Sequence, residues 1–268
     1  MGESRSGYVF NDVDRSLEIE RLRSIESIFD AGTERMLANA GLVHGASCLE
    51  VGAGAGSIAR WLHSRVGDSG HVEAVDLDVQ FLGDLPRDIR VTRADMSNVD
   101  LSGRTFDVIH ARFVLIHNAN AEALLDRLLA HLTPEGYLAL EEPDFASACP
   151  FVATRAQKRA FDDVNAAIQS VFEARGQHYA FGATLPQLLQ DRGARLVTVQ
   201  RDSPVVRGGS PMARMMAMST TQLKEKYLQT GHVGAEALAR YAEFAADPSG
   251  WALHHSTMRV VAKSVRAI

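Results

Sequence analysis

The chain is predicted to fold as an α/β protein around a doubly wound, mostly parallel β-sheet, and three observations carry that expectation. Short apolar runs of strand character alternate with helical stretches as far as Asp144, the pattern that lays crossover helices on a parallel sheet. Residues 47–57, Ser-Cys-Leu-Glu-Val-Gly-Ala-Gly-Ala-Gly-Ser, run from an apolar strand into alternating glycines and then into the helical pattern of Ile58 to Leu62. Glycines at such a turn permit positive φ and close ligand approach, while the helix start offers unpaired N–H groups. Finally, 46% apolar and 23% charged residues over a length of 268 allow a sizeable core in one domain with insertions.

The elements follow in order. Asp14 is placed to cap a helix in which Leu17, Ile19, Leu22, Ile25 and Phe29 recur near helical spacing. A second short helix is expected from Thr33 to Asn39, ended by Gly41. After the glycine turn, Ile58 to Val66 forms a crossover helix and His71 to Asp76 the second strand, which carries Asp76 to its C-terminal end. Ile89 to Arg93 makes a third strand running into Ala94-Asp95-Met96, and Phe106 to His110 a fourth, continuing through Ala111 to His117 towards a helix from Glu122 to Leu132. A Pro-Gly turn at 133–136 precedes a fifth strand, Tyr137 to Asp144, ending in Glu141, Glu142 and Asp144.

The second half has a different character. One amphipathic helix presents Phe161, Val164, Ile168, Val171 and Phe172; a sheet-covering helix follows from Leu185 to Arg192 and a strand from Arg195 to Val206. Met258 to Lys263 forms the last strand, and the segment before it carries Met212, Met215, Met216 and Met218, then Tyr241 and Phe244. Segments 145–180 and 207–250 are therefore read as insertions forming a substrate cap, and residues 1–45 as N-terminal helices, with Tyr8, Val9 and Phe10 contributing to a lid.

Glycine spacing separates two cofactor classes. A dinucleotide fingerprint places glycines at its first, third and sixth positions, whereas here Gly52, Gly54 and Gly56 occupy the first, third and fifth, and Glu50 closes the strand. This E-x-G-x-G-x-G arrangement resembles motif I of class I S-adenosylmethionine-dependent methyltransferases, and a cationic ligand favours a nearby carboxylate where a pyrophosphate does not. The resemblance covers residues 46–143 in motif detail and is nearest to small-molecule enzymes of the ubiquinone-biosynthesis type and to bacterial natural-product enzymes of secondary metabolism. It implies a Rossmann-like sheet of seven strands with the last antiparallel, and S-adenosyl-L-methionine as cofactor. Carried over by position, Glu50, Gly52, Gly54 and Gly56 surround the methionine part, Asp76 with Leu77 the ribose, and Asp95 with Met96 the adenine. His110 to Arg112 border the transferred methyl group.

Methyl transfer needs a base only when the nucleophile carries a proton that must leave. His117 is the first candidate, being a histidine just beyond the fourth strand. Glu141, Glu142 and Asp144 are further candidates to accept a proton or hold a substrate amine, although strand alternation keeps Glu141 and Glu142 from sharing a face. A net charge of −5 argues against nucleic acid as partner. No run of about 18 apolar residues suggests a membrane span. Cys48 and Cys149 have no metal-ligand spacing, so no metal is expected. With no signal-peptide core in view, a cytoplasmic protein is expected. Met1 to Ser6 formally matches an acylation pattern, but so short a match arises readily by chance. The expected partner is a small, partly apolar or aromatic metabolite with an oxygen, nitrogen or carbon nucleophile; a homo-oligomer stays open. Two rivals remain: a protein of this fold that binds the cofactor without methyl transfer, such as a cyclase, and a nicotinamide oxidoreductase.

Overall fold

The computed structural model describes residues 8–10 and 14–263; the Met1–Ser6 pattern lies outside the described residues. A helix α1 (Arg15–Asn39) leads into β1 (Ser47–Val51), α2 (Ser57–Val66), β2 (His71–Asp76), β3 (Arg90–Arg93), β4 (Phe106–Arg112), α3 (Ala121–Ala130) and β5 (Leu132–Asp144). There follow β6 (Cys149–Val152), α4 (Arg155–Glu173), α5 (Phe181–Asp191), β7 (Arg195–Asp202) and β8 (Val206–Arg207). The chain continues with α6 (Pro211–Gln222), α7 (Lys224–Gln229), α8 (Ala235–Ala246), β9 (Trp251–Leu253) and β10 (Ser256–Lys263).

Seven strands form the main sheet in the order β3-β2-β1-β4-β5-β10-β7. β1 pairs in parallel with β2 and β4, whereas β10 runs antiparallel between β5 and β7. The reversal at the fourth position puts the C-terminal ends of β1 and β4 side by side, where a crevice opens in doubly wound sheets. Alternation along β1 sends Cys48 into one apolar core and Leu49 and Val51 into the other, on opposite faces of the sheet. Leu37 and the Ile58, Ala59, Leu62 and Val66 face of α2 fill the first core, while α3, α4, α5 and the later helices fill the second.

Two local differences from the sequence expectation stand out. The two N-terminal helices are one, because the Thr33 hydroxyl bonds back to Phe29 O and to Glu141 and so does not compete with the helix backbone. Gly32 lies inside that helix where a Cβ would stand 2.5 Å from the Arg259 guanidinium, so a larger residue there would displace the arginine head group. The predicted strand to Val206 stops at Asp202, and its continuation, β8, joins β6 and β9 in a separate three-stranded sheet in the order β6-β9-β8. Among the described residues no helix is long and apolar enough to cross a membrane.

Candidate active site

A cleft of about 1300 Å³ opens at the C-terminal ends of β1, β2 and β4 and is walled by the front of α1. Its floor is the glycine turn. Gly52, Gly54 and Gly56 have φ of +69°, +58° and +88°, left-handed values that residues with a Cβ seldom adopt. The Asp76 carboxylate closes the turn, accepting from Gly54 N at 2.8 Å through Oδ2 and from Asp78 N at 2.9 Å through Oδ1. Each oxygen keeps a lone pair for a ligand. Leu77, Asp95 and Met96 line the same side, and the Asp95 side chain is steadied by Ser97 N at 2.8 Å.

Glu50 and Arg112 also line the cleft, but Gly56, His110, Glu141 and Glu142 are not among its walls. For the three residues on strands, geometry explains why. His110 is 0% exposed on the central strand, with Nδ1 2.7 Å from Glu50 Oε2 and Nε2 3.3 Å from Glu141 Oε1. Burial opposes its imidazolium, yet the flanking carboxylates prevail and raise it to about 9. Glu141, burial notwithstanding, is lowered to about 2 by His110 and the nearby arginines, and it accepts from Arg259 Nε at 2.5 Å. Arg112 is held to α1, donating to Asp30 Oδ1 and Thr33 Oγ1 at 2.9 Å each.

Glu142 points to the other face and accepts three backbone N–H groups, from Val114 at 3.1 Å, Leu115 at 2.8 Å and Ile116 at 3.1 Å. Burial nevertheless raises its carboxyl to about 8. It fixes the short turn at 115–117 that carries His117, immediately after Phe113, whose φ of +58° marks a sharp exit from β4. Asp144, proposed alongside the two glutamates, is 2.7 Å from Arg201 and caps the next turn through Ala146 N, away from the cleft wall.

His117 does line the cleft. Tyr8 meets its ring edge-on at 5.1 Å, and Phe172 stacks on it at 5.6 Å with an interplanar angle of 24°. Its Nδ1 is buried and, among the described residues, has no hydrogen-bond partner. Burial, reinforced by the charges of Arg21 and Arg175, lowers its pKa to about 3, so the ring is neutral at ordinary pH. Tyr8 is fixed from the opposite side: its hydroxyl donates to Glu18 at 2.7 Å and accepts from Arg21 at 2.5 Å, while Arg21 stacks over Phe10 at 3.9 Å.

The ring system continues inward as Phe172–Phe145–His255–Phe113–Phe29, with neighbouring centroids 4.9–5.9 Å apart. Sequence reasoning missed this grouping and the Glu18–Arg21 clamp, since a Glu and an Arg three residues apart look like a surface helix pair. Met212, Met215 and Met216, expected in an adaptable pocket, lie instead in the apolar core, and none of the four cap methionines lines the cleft.

A family model described as "Methyltransferase domain" matches residues 21–199. The chain is 29% identical over 137 residues to "Methyltransferase str3" of Strobilurus tenacellus, a match covering 51% of this chain and 49% of that protein. It thus spans about half the length of that relative. Among solved structures, coclaurine N-methyltransferase bound to N-methylheliamine and S-adenosylhomocysteine superposes with a TM-score of 0.54 at 17% identity, over 87% of this chain and 72% of the other. The [4+2]-cyclase SpnF superposes with a TM-score of 0.55 at 17% identity, over 88% and 82% of the two chains. These likenesses are of fold. The residues present suit the cofactor of the family: a glycine backbone cradle, a carboxylate at the end of β2 with free lone pairs, and a nearly buried glutamate, Glu50, on the cleft wall. The chain therefore belongs to the methyltransferase-domain family, whose cofactor is S-adenosylmethionine.

Proposed function

We propose that this enzyme methylates a small, partly apolar, aromatic metabolite of secondary metabolism, in the cytoplasm, and that its nucleophile presents an O–H or N–H to His117. The observation that carries this reading is the acceptor end of the cleft, where Tyr8, Phe10, Phe113 and the neutral imidazole of His117 form a wall of rings. Offset and edge-on rings favour a planar aromatic guest, and a neutral imidazole on the cleft wall can accept a hydrogen bond from a guest that carries an O–H or N–H. On this reading Asp76 and Leu77 hold the ribose, Asp95 and Met96 the adenine, and Glu50 with the glycine turn the methionine part.

S-adenosylmethionine supplies a methyl group already activated on a sulfonium, so the protein contributes chiefly by positioning. His117, neutral at ordinary pH, accepts the hydrogen bond of the nucleophile and fixes its direction, and Glu142 holds the turn that aims His117. A carbon nucleophile needs no such acceptor, so an oxygen or nitrogen that carries a proton is favoured.

The test is a screen of phenols, aryl amines, indoles and aliphatic alcohols with labelled methyl donor, followed by His117→Ala on the best acceptor. Aromatic acceptors are expected, with kcat falling about 10²-fold or more and cofactor affinity kept. The wild-type rate should show no inflection near the usual histidine pKa, because His117 titrates near 3. Preference for an aliphatic acceptor, or normal turnover in the variant, would overturn the reading.

A further inference from the structure

Three carboxylates lie buried within reach of one another, and they are satisfied unequally. Glu142 has three backbone N–H donors. Glu141 has three side-chain donors: Thr33, Arg259 and His110. Glu50, only 3% exposed, has among the described residues a single hydrogen-bond donor to its carboxylate, the Nδ1 of His110 at 2.7 Å. Of the three, it is also the one on the cleft wall.

We propose that His110 is a positioning residue: as an imidazolium donating from both ring nitrogens, it keeps Glu50 ionised and aimed into the cleft, so that the cationic end of the cofactor meets a carboxylate. The proposal rests on the placement of Glu50 beside the methionine part of the cofactor. Burying a carboxylate is costly unless it is paired and hydrogen-bonded, and the charges around this pair are arranged for it. Arg112 on β4 and Arg259 on β10 supply positive charge, Asp30 on α1 binds Arg112, Asp202 on β7 binds Arg259, and Glu141 on β5 holds the far ring nitrogen of His110. Burial raises the Glu50 carboxyl, and the charge and hydrogen bond of His110 are the largest effects acting against it. His110 thus serves the cofactor without touching it, which explains why a histidine expected to border the methyl group lies beneath the floor instead.

Replacing His110 with a neutral amide leaves Glu50 with a carboxyl raised by burial and little to oppose it. Below that raised value Glu50 takes up a proton, and cofactor affinity should fall by about tenfold for each pH unit. The experiment is calorimetric titration of S-adenosylhomocysteine and S-adenosylmethionine into wild type, His110→Gln and Glu50→Gln from about pH 6 to 9. Wild type should be nearly flat up to about pH 8, His110→Gln weak at low pH and recovering as pH rises, and Glu50→Gln weak throughout.

A His110→Gln protein that binds as wild type does, or binds weakly with no pH dependence, would overturn the proposal, the second outcome marking a merely structural role. Wild-type affinity in Glu50→Gln would instead overturn the placement of Glu50, and the proposal with it. Should His110→Gln not fold, the imidazole resonances of the wild-type protein decide: His110 doubly protonated at pH 7.5 supports the proposal, and a neutral His110 there overturns it.

Discussion

The two ends of the cleft are made of different material. At the end proposed for the cofactor, residues 50–54 and 76–78 supply backbone N–H groups, glycines and carboxylates from the ends of two neighbouring strands. At the end proposed for the acceptor, Tyr8, His117 and Phe172 come from three separate segments and meet through ring contacts. A site built from backbone depends on local geometry, and one built from rings depends on the packing of the elements that carry them. The first should therefore fail by losing its ligand and the second by losing stability and selectivity together.

The sharpest way to break the contrast is Gly54→Val. With φ at +58° and a Cβ directed to within 3.4 Å of Leu22, a β-branched residue cannot keep this turn. Complete loss of S-adenosylhomocysteine binding with a near-native melting temperature is expected; a folded variant that binds would show that the local turn is dispensable.

The acceptor end is tested by separating ring from core. Phe172→Ser and Met216→Ser each remove a buried side chain and should cost about 2–5 kcal/mol by the large-to-small scale. Phe172→Ser should also impair acceptor turnover, since its ring backs His117, whereas Met216→Ser should leave turnover of the folded fraction unchanged. Equal effects on turnover would erase the distinction between the ring wall and the cap core.

A smaller effect is expected for Asp76→Ala. Losing hydrogen bonds to a charged group costs about 1.5–3 kcal/mol, or roughly 10- to 150-fold in cofactor affinity, which titration calorimetry resolves. Unchanged affinity would move the ribose contact elsewhere.

The gentlest probe is pH. His117, His254 and His255 are lowered by burial to about 3, 4 and 4, so below their ordinary value of 6.5 the unfolded chain binds protons that the folded chain refuses. Stability should fall as pH drops from there towards 4. His110, raised to about 9, stabilises fully below 6.5 and loses that contribution as pH rises through 9; Glu142, raised to about 8, acts in the same direction from 4.5 upward. Melting temperatures should pass through a maximum near pH 6.5, and a plateau up to pH 9 would contradict the charged state of His110.

Legibility in the sequence follows the same division. The sheet and the glycine turn were readable because strand periodicity and glycine spacing are local, and the family match supports that fold and cofactor. The surroundings of Glu141 and Glu142 were not, because alternation on β5 separates the two faces without saying that both are covered: one by α1 and β10, the other by the turn at 114–116. The single long α1 was hidden in a threonine whose hydroxyl finds partners 4 and 108 residues away. Helical methionines look alike whether they face a ligand or a neighbouring helix, and only packing distinguishes them.

The placement of β10 bears on the order in which the molecule assembles. This strand is the last of the described chain, yet it lies inside the sheet between β5 and β7, and its Arg259 completes the surroundings of Glu141, 118 residues earlier. During synthesis, β5 must therefore wait with a bare edge and a partly satisfied buried carboxylate until the final strand emerges. Pairings of such sequence separation form slowly and leave strand edges exposed meanwhile. A ribosome stalled before residue 256 would hold a chain in which that edge of β5 is still unpaired.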